Sequence, residues 1–156
     1  MSTTSDGVIE TAPDRFDDRI EHIIESPSDV GTVQLVVRRP SQGEREVLDE
    51  CALDLTEGLV GDAWLARGSR SRPDGSANPD AQLTLMNARA ADVITGGRDR
   101  WPLAGDQLYV DLDLSIDNLP TGTRLHLGSA VLEVTDAPHT GCAKFSERFG
   151  VEALKL

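Results

Sequence analysis

Residues 123–134 read Thr123-Arg124-Leu125-His126-Leu127-Gly128-Ser129-Ala130-Val131-Leu132-Glu133-Val134. Apolar and polar residues alternate on both sides of Gly128-Ser129, the period of a half-buried strand. A Gly-Ser pair between such runs favours a two-residue type II′ turn, because glycine takes a positive φ without steric cost. The spacing therefore predicts a hairpin with Leu127 opposite Ala130, Leu125 opposite Leu132 and Arg124 opposite Glu133. One face is then apolar and the other carries a complementary charge pair. A slip of one residue would put both leucines in water.

Upstream, the same texture of short runs and turns continues. Val33, Leu35 and Val37 mark a strand that Arg38-Arg39-Pro40 closes. Glu46 to Leu55 is a second candidate strand, and Gly58 to Asp62 a turn with an apolar centre. Gln82 to Met86 returns as a strand. Ala88 to Ile94 reads as a helix, with Asn87 as N-cap and Gly96-Gly97 as the stop. Leu108, Val110 and Leu112 alternate with Tyr109, Asp111 and Asp113, which predicts a half-buried strand. Lys144 to Phe149 reads as a short helix. About six short strands against two or three short helices argue a mainly β domain, curled or barrel-like.

The chain has 156 residues, one domain's worth. Residues 1–29 read as a flexible acidic segment, with a short helix over 14–25 where Phe16, Ile20, Ile23 and Ile24 fall at helical spacing. Residues 30–156 form the domain. Two cysteines are too few for a disulfide scaffold. No run approaches the ~20 apolar residues of a membrane span, and no signal peptide is visible, so a cytoplasmic protein is expected. The net charge of −12 opposes nucleic acid and anionic membranes as bulk partners. It leaves room for a small anionic ligand on a local basic patch.

Chemistry-bearing residues are few. Cys142 lies in Ala137-Pro138-His139-Thr140-Gly141-Cys142-Ala143-Lys144-Phe145, between a strand and a helix start. Helix N-terminal amides, Lys144 and a protonated His139 would all favour a thiolate there. A thiolate so placed can be a nucleophile, a sulfur carrier or a soft metal ligand. The plainer alternative is a small buried hydrophobe, and for Cys51 that alternative is preferred. His22 and His126 read as surface residues. The cysteines and histidines lack the paired spacing of a zinc site. Arg67, Arg70 and Arg72 form the basic cluster of this acidic chain, in a long loop over residues 65–80. Arginine forks there could seat an anionic cofactor, or the loop could simply be solvated. Asp62 and Asp117-Asn118 sit in turns, where such residues are expected for backbone reasons alone.

Three blocks together resemble the MOSC family, the domain found at the C-terminus of molybdenum cofactor sulfurases and in free-standing bacterial proteins. The first is Gly58-Leu59-Val60-Gly61-Asp62 followed by Gln82-Leu83-Thr84-Leu85-Met86-Asn87. The second runs from Gly105-Asp106 to Asp117-Asn118-Leu119-Pro120 and Gly122. The third is Leu127 to Val134 leading into Pro138-His139-Thr140-Gly141-Cys142. The match spans roughly residues 30–150 and is most similar to the small stand-alone bacterial type.

The resemblance implies a β-barrel-like fold and a cysteine, Cys142, tied to the molybdenum cofactor. That cysteine would carry sulfur or ligate the metal. His139, Thr140, Lys144, Asn118, Asp62 and Arg70 become cofactor contacts by the same implication. An oxidoreductase of the metal-ligating kind would reduce N-hydroxylated compounds, with a redox or sulfur-donor protein as partner. Pyridoxal phosphate belongs to a separate domain of the long fusions and is not expected on this chain. The family continues past the cysteine helix with further strand, whereas this sequence stops at Leu156, so the expected barrel is incomplete at its C-terminal end. Two other functions stay open: a non-catalytic small-molecule or protein-binding module with a structural cysteine, and a plain redox-active cysteine protein.

Overall fold

The computed structural model describes residues 19–137. Residues 19–24 are helical. The chain then forms β1 (Thr32–Arg38), β2 (Glu46–Leu48), β3 (Leu53–Asp54), β4 (Gly58–Leu59) and a one-turn helix α1 (Trp64–Arg67). A 3-10 turn (Pro79–Ala81) leads to β5 (Leu85–Asn87), α2 (Ala88–Thr95), a 3-10 helix (Arg98–Ala104) and β6 (Leu108–Asp111). The hairpin β7 (Arg124–Leu127) and β8 (Ala130–Glu133) follows.

The main sheet has the order β2-β1-β6-β5, with β5 parallel to β6 and the other pairs antiparallel. Two-stranded sheets β3-β4 and β7-β8 complete the set. Among the described residues helix and strand take 24% each, and the described strands close no barrel. The mainly β expectation is thus only loosely met, and the fold is mixed α/β. The Glu46–Leu55 run is two short strands in different sheets instead of one.

The reason for the mixed architecture lies in β1 and β6. Along β6, Leu108 and Val110 join one core cluster with Val36, Leu59, Leu112 and Leu119. Tyr109 points the other way, into a second cluster with Val37, Ala88, Ala91 and Trp101. Both faces of the central strands are therefore covered, one by α2 and Trp101, the other by the loops and the hairpin. The half-buried reading of residues 108–112 is corrected here: Leu108, Tyr109 and Val110 are all buried. Tyr109 stacks on Trp101 with ring centroids 5.8 Å apart, and its hydroxyl donates to the Trp101 carbonyl at 2.7 Å. A buried phenol with its one donor satisfied is a stable wedge under a helix.

Local expectations hold where local chemistry decides. Asn87 caps α2, its side chain accepting from Ala90 N–H, and Gly96 ends the helix in the left-handed conformation. The hairpin has the expected register: Arg124 with Glu133, Leu125 with Leu132, Leu127 with Ala130. Gly128 has φ +59°, and Ser129 is not at positive φ. That combination fits type II′ and excludes type I′, which needs both.

Candidate functional site

Among the described residues, one groove has a volume of about 940 Å³. Three stretches build it: Pro79–Leu85 before and into β5, the turns around Leu114–Thr121, and the hairpin, through Leu125 of β7 and β8 with its continuation to Ala137. Its apolar floor is made by Leu83, Leu85, Leu114, Leu119, Leu125 and Leu132. The Thr135 hydroxyl donates to the Asp80 carbonyl at 2.6 Å and ties the hairpin's end to the 3-10 turn. The charged residues that line the groove, among those described, are Asp80, Glu133 and Asp136. The rim is thus acidic, although Glu133 also pairs with exposed Arg124, Nε to Oε1 at 3.4 Å. Behind the floor, Gln107 Oε1 accepts from Thr84 N–H at 2.9 Å. Gln107 Nε2 is buried with no hydrogen-bond partner among the described residues.

Of the residues singled out in the sequence, Cys142, His139, Thr140 and Lys144 lie outside the described residues. Asp62 lies apart from the groove, in a network of its own. Its side chain is fully covered and pairs with Arg39, Nη2 to Oδ2 at 2.8 Å. Oδ1 accepts from the Arg39 backbone N–H at 2.7 Å and from Nε at 3.0 Å. Oδ2 also accepts from Trp64 N–H at 3.1 Å. Burial alone would raise this carboxyl's pKa. The Arg39 hydrogen bonds and charge, with the Trp64 amide, outweigh it and hold the pKa below the ordinary carboxylate value. Every acceptor direction of Asp62 is engaged, so its role here is to lock the end of β1 to the turn before α1.

Asn118 is likewise a tether. Its Nδ2 donates to the Ser28 carbonyl at 2.9 Å and to the Asp113 carbonyl at 2.8 Å. These bonds shape the turn that carries Leu119 to the groove floor. Arg70 is exposed on the Arg67–Arg72 loop and does not line the groove. That loop is ordered by its own bonds: Ser69 N–H donates to Gly75 O at 3.2 Å and Gly75 N–H to Arg72 O at 3.0 Å. Cys51 sits in a smaller concavity of about 400 Å³ with Arg38, Glu50 and Val60 among its lining residues. Burial pushes its thiol pKa up, which leaves it a poor nucleophile. His22 and His126 are exposed, as expected.

Sequence reasoning missed Arg39, Asp80, Gln107 and Thr135. Each acts through a partner distant in sequence, and no local pattern announces such a pair. Among the described residues, no group of three His, Cys, Asp or Glu side chains could hold a metal ion, and no helix is long and apolar enough to cross a membrane. No family model matches the chain, and no curated protein or solved structure matches it.

Proposed function

We propose that the chain is a cytoplasmic, molybdenum cofactor-binding protein of the MOSC type, with Cys142 as its reactive group. One observation carries the reading. The three blocks of the resemblance, far apart in sequence, supply side chains to a single core cluster: Leu59, Leu83 and Leu85 from the first, Leu119 from the second, Leu127, Leu132 and Val134 from the third. That the blocks share a core supports reading them as parts of one architecture. The finer expectation, a barrel-like MOSC fold, is part of this proposal.

The described residues fit the cofactor at one end only. The groove floor offers an apolar surface for a flat ring system. Its acidic rim repels the anionic groups of such a cofactor. Their counter-charge has to come from His139 and Lys144, the bases beside Cys142 in sequence. Ala137 lines the groove, and Cys142 follows five residues later, within about 18 Å along an extended chain. When bound, the cofactor supplies molybdenum's redox and sulfur chemistry. The protein contributes a thiolate, which ligates the metal or receives and passes on sulfur, and an apolar wall that excludes water. The metal-ligating form would act as an oxidoreductase on N-hydroxylated compounds, with electrons from a redox partner.

The test is molybdenum per chain. Wild type and Cys142→Ala are purified anaerobically from a host that makes the cofactor. Molybdenum in the wild type and none in the variant is the expected result. Equal molybdenum in both would remove Cys142 from the site. No molybdenum in either would favour the second reading, a non-catalytic binding module, for which the Asp80 and Asp136 side of the rim speaks.

A further inference from the structure

Among the described residues, two open strand edges line the same groove. β5 ends the four-stranded sheet and β8 belongs to a two-stranded one, so each has one edge that no described strand pairs. In a two-residue hairpin the pair flanking the turn is hydrogen-bonded, and every second pair after it. Ala130 and Leu132 therefore face β7, as does Val134, whose N–H donates to Thr123 O at 2.8 Å. Val131 and Glu133 turn their N–H and C=O groups outward. On β5 the same alternation applies. Thr84 O accepts from Leu108 N–H at 3.2 Å, which leaves Leu83 and Leu85 with their amide groups on the free side. All four outward-facing residues line the groove.

Open edges of this kind are templates for a further strand. The side-chain environment specifies which strand. Leu125 and Leu132 form one face of the hairpin and pack on the core, so a strand added beside β8 meets an apolar neighbour on that face. On the opposite face its neighbours are Val131 and Glu133, and Val131 is 53% exposed. Asp80 and Asp136 supply negative charge at the groove, joined by Glu133, which is partly offset by its pair with exposed Arg124. We infer that this groove is a docking site for an extended segment of a partner protein in which apolar residues alternate with Lys or Arg. The main chain pairs with the Val131 and Glu133 edge, the apolar side chains cover the leucine floor, and the basic ones meet the acidic rim. This inference uses the same leucine floor as the cofactor reading, but the two fail separately: peptide binding tests the strand edge, and molybdenum per chain tests Cys142.

The experiment uses the full chain and two labelled peptides, one alternating Val and Lys, the other Val and Glu, followed by fluorescence anisotropy. The Val–Lys peptide binds, more weakly as salt rises, and the Val–Glu peptide does not. Val131→Pro removes an N–H that points away from β7, so it spares the hairpin's own bonds. It weakens Val–Lys binding about tenfold while the melting temperature holds, the loss expected for one or two edge hydrogen bonds. Asp136→Lys reverses a rim charge that holds no described ion pair and weakens binding independently, which keeps the test intact should the proline variant not fold. Failure of the Val–Lys peptide to bind, equal binding of both peptides, or binding unaffected by both variants overturns the inference. So does concentration-dependent self-association that Val131→Pro abolishes in the absence of peptide binding, which would give the edge to a second copy of the chain.

Discussion

Arg39 and Asp62 meet as a buried ion pair at 2.8 Å, with 12% and 0% of their side chains exposed. Arg39 also donates through Nη1 to the Gly105 carbonyl at 3.1 Å. One guanidinium thus joins the end of β1, the turn before α1 and the turn before β6. Removing one partner of such a pair strands the other charge. Asp62→Ala is expected to cost about 3–5 kcal/mol in urea unfolding. A change within 1 kcal/mol or so would show that solvent reaches Arg39 readily.

The same pair sets a pH dependence. The folded-state pKa of Asp62 lies below its ordinary value of 3.8. The stabilisation is then full above that ordinary value and is lost as pH falls through the lower folded one. Exposed Asp54 and Asp74 are shifted in the same direction by hydrogen bonds from neighbouring backbone and serine groups, so the wild-type slope is not due to Asp62 alone. Comparison with Asp62→Asn isolates it. Wild type loses melting temperature faster than the variant below about pH 4. Parallel curves for the two proteins would exclude Asp62 as a source of the slope.

Asn87 does two jobs. It caps α2 through Oδ1, and through Nδ2 it donates to Leu112 O and Ser26 Oγ, both at 2.8 Å. Asn87→Ala therefore loses a cap, about 1 kcal/mol, and leaves the Leu112 carbonyl short of a donor, about 1–3 kcal/mol more. Asn87→Ser keeps a capping oxygen and loses only the tether, so its stability in urea falls between the other two. If Ser and Ala prove equally destabilising, capping contributes nothing measurable at this site.

The parts of this fold that the sequence made legible are those in which neighbours in sequence decide. Gly128-Ser129 and the flanking alternation set the hairpin register, because a slip exposes Leu125 and Leu132. Asn87 and Gly96 bracket α2 by capping chemistry that needs no distant residue. Tyr109 shows why the rest was hidden. Its polar hydroxyl and its place opposite Leu108 and Val110 suit a solvent-facing position, and only Trp101 and α2 make it interior. Asp62 and Asn118 are legible as turn residues, but their partners Arg39 and Ser28 are 23 and 90 residues away. The groove is less legible still, since three separate stretches enclose it and no one of them is unusual. The acidic rim likewise emerges only when Asp80 is brought beside the hairpin.

Gly68 and Gly75 make a controlled pair in the arginine loop. Both have positive φ, +70° and +74°. A Cβ at Gly68 would lie 2.0 Å from the Gly75 carbonyl oxygen, whereas one at Gly75 meets nothing within 4 Å. Gly75→Ala then costs the left-handed strain alone, about 1–2 kcal/mol. Gly68→Ala costs more, since the loop's neck has to open. Limited proteolysis near Arg70 and Arg72 should accelerate in the Gly68 variant first. Equal proteolysis and equal stability would mean that the neck is not closed in solution.

The two cysteines should separate by reactivity. Cys51 is partly buried, and desolvation raises its thiol pKa above the ordinary 9.0. Few thiolates form there at neutral pH, and the thiolate is the reactive species. In the Cys142→Ser chain, where Cys51 is alone, iodoacetamide alkylation is therefore slow at neutral pH. Its rate climbs with pH to a midpoint above that of a free cysteine. The wild type should show one slow thiol matching that profile and one fast thiol, if Cys142 has the thiolate character that the proposed function requires. Two slow thiols in the wild type would leave Cys51 as described and remove the reactive cysteine on which the proposed function depends. A fast thiol in Cys142→Ser would instead show that the Cys51 concavity is open to solvent and that its burial is not the controlling factor.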